Sequence, residues 1–172
     1  MGCDIHLFIE MRRHPENEWE AEPTTNYGEN DSALYPYGVR SVSRNYHIFG
    51  LLAGVRENNC MFMPRGIPKD VTPLVEMAIE GWNRDAHTHS YLSLAEFKEV
   101  IAKTDYKNSK NTSTEINYDY SDPKYDTVSD FPENWTTIVN YCENWIDSEN
   151  AESILLGMPC TAEIRLIFFF DS

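Results

Sequence analysis

The stretch Leu166-Ile167-Phe168-Phe169-Phe170 constrains this chain more than any other, because its apolar residues follow one another without interruption. A strand with one wet face alternates apolar and polar side chains, so an unbroken run of this kind reads as a strand buried on both faces. Thr161 to Asp171 is accordingly expected to be a core strand. Towards the other end of the chain, Cys3 to Met11 is rich in Ile, Leu and Phe, with Asp4, His6 and Glu10 at even spacing. It reads as a first strand whose polar residues share one face.

Helical signals occupy much of the interval. Tyr46, Phe49, Leu52 and Ala53, with Ile48, Leu51 and Val55, recur at helical spacing behind Ser43, which predicts a helix capped by Ser43 and ending near Arg56. Pro64, Gly66 and Pro68 impose a loop. Asp70 is then placed to cap a second helix with Pro73 in its first turn, with Val75, Met77 and Ile79 buried and an end near Gly81. Ser93-Leu94-Ala95-Glu96 has the capping-box pattern ahead of Phe97, Val100 and Ile101, so a third helix starts there and the segment between Trp82 and Leu92 is a helix-to-helix loop. A fourth helix, from about Pro132 to Ser148, sets Trp135, Ile138, Val139, Cys142 and Ile146 on one side. Arg13 to Arg40, crowded with Pro, Gly, Asn and Glu, predicts hairpins or irregular loops, and Asp105 to Asp130 a polar excursion. The expected class is α+β: a single domain over residues 1–172, with a small mixed or antiparallel sheet containing the first and last strands, packed by about four helices. Irregular insertions fall around 13–40 and 105–130.

A length of 172 residues with 41% hydrophobic content supports one core. The 14 basic against 28 acidic side chains give a formal charge of −14, which repels phosphate backbones and acidic membranes at long range. No extended nucleic-acid partner is expected. A short nucleotide in a local basic pocket is compatible with this balance, because a few well-placed Arg residues dominate the field at close range. Cys3, Cys60, Cys142 and Cys160 are widely spaced without a CxxC pair and read as reduced thiols. His6 stands where a myristoylation motif requires Ser or Thr, no secretory leader is apparent, and no apolar run approaches the roughly 20 residues that span a bilayer. The expected setting is the cytosol, with no membrane partner.

Two constellations carry potential chemistry. Asp4 and His6, two apart on a strand, share a face with side chains roughly 7 Å apart and can converge on one ligand. His87-Thr88-His89, preceded by Asp85, repeats the arrangement, and a mixture of Asp and His suits zinc, manganese or iron better than calcium. A structural reading stands beside this one: Asp4 bonds a loop amide, and His87 or His89 satisfies the carbonyls that end a helix. The second constellation is Arg44 and Asn45 at the start of the first helix, Arg56 at its end and Arg65-Gly66 in the next loop, which together can grip a phosphate or carboxylate. The alternatives are that Arg56 complements a helix dipole and that the others pair with acidic groups. Tyr46 can stack on a base, although its spacing with Phe49 and Leu52 favours the core. Trp82, Trp135 and Trp145 are assigned no function.

The opening Gly2-Cys3-Asp4-Ile5-His6 resembles that of a family of small bacteriophage proteins. The likeness continues through Arg44-Asn45-Tyr46, Leu52 to Arg56, Pro64-Arg65-Gly66, Asp85 to Leu92 and the closing Arg165 to Asp171. The segments Arg13 to Arg40 and Asp105 to Asp130 depart from it, as does Phe169, where Trp is the family's residue. The resemblance implies a phage origin and the cytoplasm of a bacterial host. It implies too that the first and last strands can pair centrally, which brings Asp171 towards Asp4 and the histidines. A local likeness to calcineurin-like metallophosphoesterases rests on Asp4-x-His6 and His87-x-His89, but the Gly-Asp and Gly-Asn-His motifs of that fold are missing.

The leading expectation is a phage accessory enzyme, a metal-dependent hydrolase of a phosphate ester or nucleotide. In it Asp4, His6, His87 and His89 hold the metal, Arg44 and Arg65 hold the phosphate with Asn45 and Tyr46 beside them, and Asp85 orients a ligand His or acts as base. The rivals are a non-catalytic counter-defence protein, which sequesters a host nucleotide signal or blocks a host defence protein, and an acidic interaction module.

Overall fold

The structure, a computed structural model, describes residues 2–22, 39–40, 44–104 and 133–171. The apolar run of the C-terminal segment forms strand β5 (Glu163–Asp171), buried continuously from Ile164 to Phe170. It pairs antiparallel with β1 (Asp4–Arg12) in unbroken register from Asp4↔Asp171 to Arg12↔Glu163. The first and last strands therefore lie side by side at the centre of the sheet. Two short strands, β2 (Glu20–Ala21) and β3 (Val39–Arg40), pair with the outer edge of β1. On the far side of β5 runs β4 (His87–Ser93), giving an antiparallel sheet in the order β2-β1-β5-β4.

The sheet is covered on both faces, which is why β5 does not alternate. Ile5, Leu7 and Ile9 with Leu166, Phe168 and Phe170 pack against three helices, α1 (Tyr46–Ala53), α3 (Leu94–Lys103) and α4 (Glu133–Leu155). Phe8, Ile167 and Phe169 pack on the other face against Val75, Ala78 and Ile79 of α2 (Pro73–Trp82). Burial of a Phe or Ile side chain contributes about 1.5–3 kcal/mol, so this double-sided layer is the main source of stability. The open edge of β4 is partly covered by the Pro64–Gly66 loop, where the Arg65 amide donates to Ser90 Oγ (3.2 Å) and the Gly66 amide to the His89 carbonyl (3.0 Å).

Several elements differ from the sequence reading. Helix α1 starts at Tyr46 and its cap is Asn45, whose Oδ1 accepts from the Ile48 amide (3.1 Å); Ser43 lies outside the described residues. Tyr46 is 40% exposed rather than core, its ring edge-on to Phe49 with centroids 5.7 Å apart. Asp70 is held by Arg165 ahead of α2, and Met77 is exposed while Ala78 takes the buried place. The expected loop between Trp82 and Leu92 is mostly strand β4, reached through a short 3-10 turn at Asn83–Asp85. Its polar His-Thr-His-Ser composition hid it, since β propensity depends on the neighbour that a strand packs against. The capping box at Ser93 is present with both reciprocal bonds. Helix α4 passes the expected end at Ser148 and continues until Gly157, at φ 68, reverses the chain. The cysteines form no disulfide. Most of 13–40 and all of 105–130 fall outside the described residues. Among the described residues no helix is long and apolar enough to cross a membrane.

Candidate functional site

The Asp4↔Asp171 end of the central strand pair gathers polar side chains on the face that α2 covers. Both oxygens of Asp171 are engaged: Oδ1 accepts from the Asp4 backbone N–H at 3.0 Å, and Oδ2 lies 3.3 Å from His6 Nε2. The His6 ring packs on Phe169, its registered neighbour across the strands, with centroids 4.8 Å apart, and on Trp82 from the end of α2 at 4.2 Å. Its side chain is 12% exposed, so Asp171 orients an imidazole that keeps a narrow opening to water.

Arg44, just ahead of α1, closes on Asp4 with two parallel bonds, Nε to Oδ1 and Nη2 to Oδ2, the latter 2.6 Å. That hydrogen-bonded arginine is the largest cause holding the Asp4 carboxyl below its ordinary range. Gly2 makes the approach possible, since a Cβ there would stand 2.6 Å from Arg44 Nη1. At the other end of α1, the Arg56 guanidinium lies over the exposed Tyr46 ring, 5.7 Å from its centroid. It also acts on Cys3, whose thiol is pushed up by burial and drawn down by this cation.

The opening of β4 completes the site and separates its two histidines. Three steps along β4, from His87 to Ser90, match two along β5, from Phe170 to Phe168. The extra residue is a β-bulge, with Thr88 in the left-handed region at φ 52. In a regular strand residues two apart share a face; here the bulge puts His87 beside Phe170 (6.2 Å) and His89 beside Phe169 on the opposite face (5.6 Å). His89 thus joins the face of His6 and Asp171, with Phe169 on the strand between them. Its Nε2 is buried without a hydrogen-bond partner among the described residues, and burial, followed by the His87 charge, lowers its pKa, so the ring is neutral at pH 7. Arg56 (φ 66) and Thr88 are the non-glycine residues at positive φ among the described residues, and both flank this end of the sheet. Strain of that kind persists where the surrounding structure enforces it.

The structure thus brings together Asp4, His6, Arg44 and Tyr46, adds Asp171, and places His89 on the same face beyond Phe169. It does not gather Asp4, His6, His87 and His89 around one point: Asp4 is closed by Arg44, His87 faces the other side, and Phe169 stands between the remaining imidazoles. Among the described residues no group of three or more His, Cys, Asp or Glu side chains is placed to hold a metal ion. Asn45 serves as the helix cap, and Asp85 is exposed at the end of the 3-10 turn. Arg65 is turned away, its fork donating to Glu96 (2.8 and 2.5 Å) between the rings of Phe62 and Tyr91.

Sequence reasoning gave no role to Trp82, which packs on His6, or to a second polar group further along the same face. There buried Arg165 pairs with buried Glu10 (Nε to Oε2, 2.7 Å) and with Asp70 (2.7 Å), while lying 4.0 Å from the centroid of the Trp19 ring. The even spacing of Asp4, His6 and Glu10 was the available signal, since it placed all three on one face. No family model, no curated protein and no solved structure matches the chain.

Proposed function

We propose that the protein is a phage accessory hydrolase acting on a phosphate ester or a nucleotide at the Asp4–Asp171 end of the sheet, in the host cytoplasm. The observation that supports the reading is the Asp171–His6 pair set beside an aspartate-anchored arginine. With Asp171 accepting from Nε2–H, the imidazole carries its lone pair on Nδ1; as general base that nitrogen takes the proton of a water that adds to phosphorus while the P–O bond to the leaving oxygen breaks, and the imidazolium returns the proton to that oxygen. Asp4 occupies the Nε/Nη2 edge of Arg44, whose side chain stays 55% exposed, and the guanidinium's remaining N–H groups serve the phosphoryl oxygens, where charge develops. The exposed Tyr46 ring beneath Arg56 offers a stacking surface for a base. That platform also supports a second reading, sequestration of a nucleotide without turnover, which needs Tyr46 and the arginines but no base.

The test is product formation from a panel of nucleoside phosphates and a chromogenic phosphodiester, run with chelator and with added zinc, manganese or iron. Turnover by the wild type is expected to fall about a hundred- to ten-thousand-fold in Asp171→Asn and His6→Gln, with folding checked by circular dichroism. Stoichiometric binding of a ligand recovered unchanged would replace hydrolysis by sequestration. Neither turnover nor binding would remove both readings.

A further inference from the structure

The C-terminal tip of α4 displays a surface that this site does not use. Ile154, Leu155, Leu156 and Met158 are 66, 87, 67 and 45% exposed. Single exposed apolar residues are ordinary, whereas a contiguous apolar knob marks an interaction surface. Fraying does not account for it, because the helix closes in a Schellman cap: the Met158 amide donates to the Ser153 carbonyl (2.8 Å) and the Gly157 amide to the Ile154 carbonyl (3.0 Å), with Gly157 at φ 68. The backbone holds the apolar side chains out in a defined arrangement.

The electrostatics of the same tip lean negative, with Arg13 taken up by Glu149 on the flank of the helix (2.7 Å). A helix C-terminus carries partial negative charge and is normally complemented by Lys, Arg or His. The last turn of α4 has no basic residue, and the stem behind it exposes Asp147 and Glu152. The exposed apolar tip is relieved by another apolar surface, and the carboxylates beside a negative helix end are relieved by a cationic one.

We propose that residues 154–158 dock into an apolar groove rimmed by Lys and Arg on another protein. Charge complementarity selects this occupant. A second copy of the chain would set acidic stem near acidic stem between molecules of formal charge −14, and an anionic lipid surface meets the same repulsion. The proposal does not depend on hydrolysis at the Asp4–Asp171 end.

The experiment uses full-length wild type, Leu155→Ser/Leu156→Ser and Asp147→Asn/Glu152→Gln, all at exposed positions. The probe is a synthetic amphipathic helix of Lys and Leu, with a Glu/Leu helix and vesicles of equal parts phosphatidylcholine and phosphatidylglycerol as controls, read by fluorescence anisotropy and sedimentation. Wild type is expected to bind the Lys/Leu helix about ten-fold more tightly than either double variant and to leave the Glu/Leu helix unbound. Equal binding by wild type and Leu155→Ser/Leu156→Ser would overturn the proposal, since net charge alone would then be responsible. So would vesicle binding that needs the leucines, or a wild-type dimer that the leucine variant loses.

Discussion

Glu96 accepts both arms of the Arg65 fork and the Ser93 amide, and the Arg65 hydrogen bond is the largest cause pulling its pKa from 4.5 down to about 2. A carboxyl depressed in the folded state contributes stability that is present above its unfolded pKa and is lost as pH falls from there through the folded value. The pair is partly exposed, at 25 and 34% for the two side chains, and solvent screening reduces its worth. Glu96→Gln is expected to cost about 1–2 kcal/mol at pH 7, and the gap from wild type should close between pH 4.5 and 2, as urea unfolding at pH 7 and pH 3 will show. An undiminished gap at pH 3 would mean that packing, not charge, is lost. A second expectation concerns Thr88, a β-branched residue at φ 52 whose hydroxyl lies 2.9 Å from His87 Nδ1. Left-handed backbone costs a residue with a Cβ about 1–2 kcal/mol, so Thr88→Gly should raise the unfolding free energy by up to about 1 kcal/mol. A destabilised variant would contradict this, showing that the Thr88 side chain contributes more than its left-handed backbone costs.

The elements were legible in proportion to how local their causes are. The capping box of α3 is a pattern within four residues, and β1 and β5 announce themselves by composition. Strand β4 did not, because its polar residues become a strand only by pairing with β5, and its bulge is a mismatch of register that no spacing within β4 reveals. The same holds for the strut that ties the α2 approach to the sheet, where Glu10 accepts from Arg165 and from the Thr72 amide (2.8 Å). Arg165→Met should cost about 3–5 kcal/mol, because it leaves the Glu10 carboxylate buried and unpaired. Joint replacement, Glu10→Leu/Arg165→Met, should cost less than Arg165→Met alone. Chemical unfolding of the single and double variants measures the difference, and a double variant weaker than the single would show that the pair itself, not the uncompensated charge, is the larger contribution.

At the scale of the whole molecule, a formal charge of −14 sets what the surface can meet. Duplex DNA should bind more weakly than about 100 µM at physiological salt, tested by mobility shift, whereas a basic apolar surface is the favoured neighbour. Hydropathy and capping, which act between residues close in sequence, were enough to place an α+β chain, its first and last strands, most of its helices, and Asp4 and His6 on one face, while the central pairing of those strands was implied by the resemblance. Asp171 reached His6 only because two strands more than 150 residues apart registered over their full length. The separation of His87 from His89, the engagement of Arg65 by Glu96 and the packing of Trp82 on His6 were likewise settled by tertiary structure. Each depends on which distant surface a side chain meets, and pairing energies between distant segments are not written in the spacing of either one.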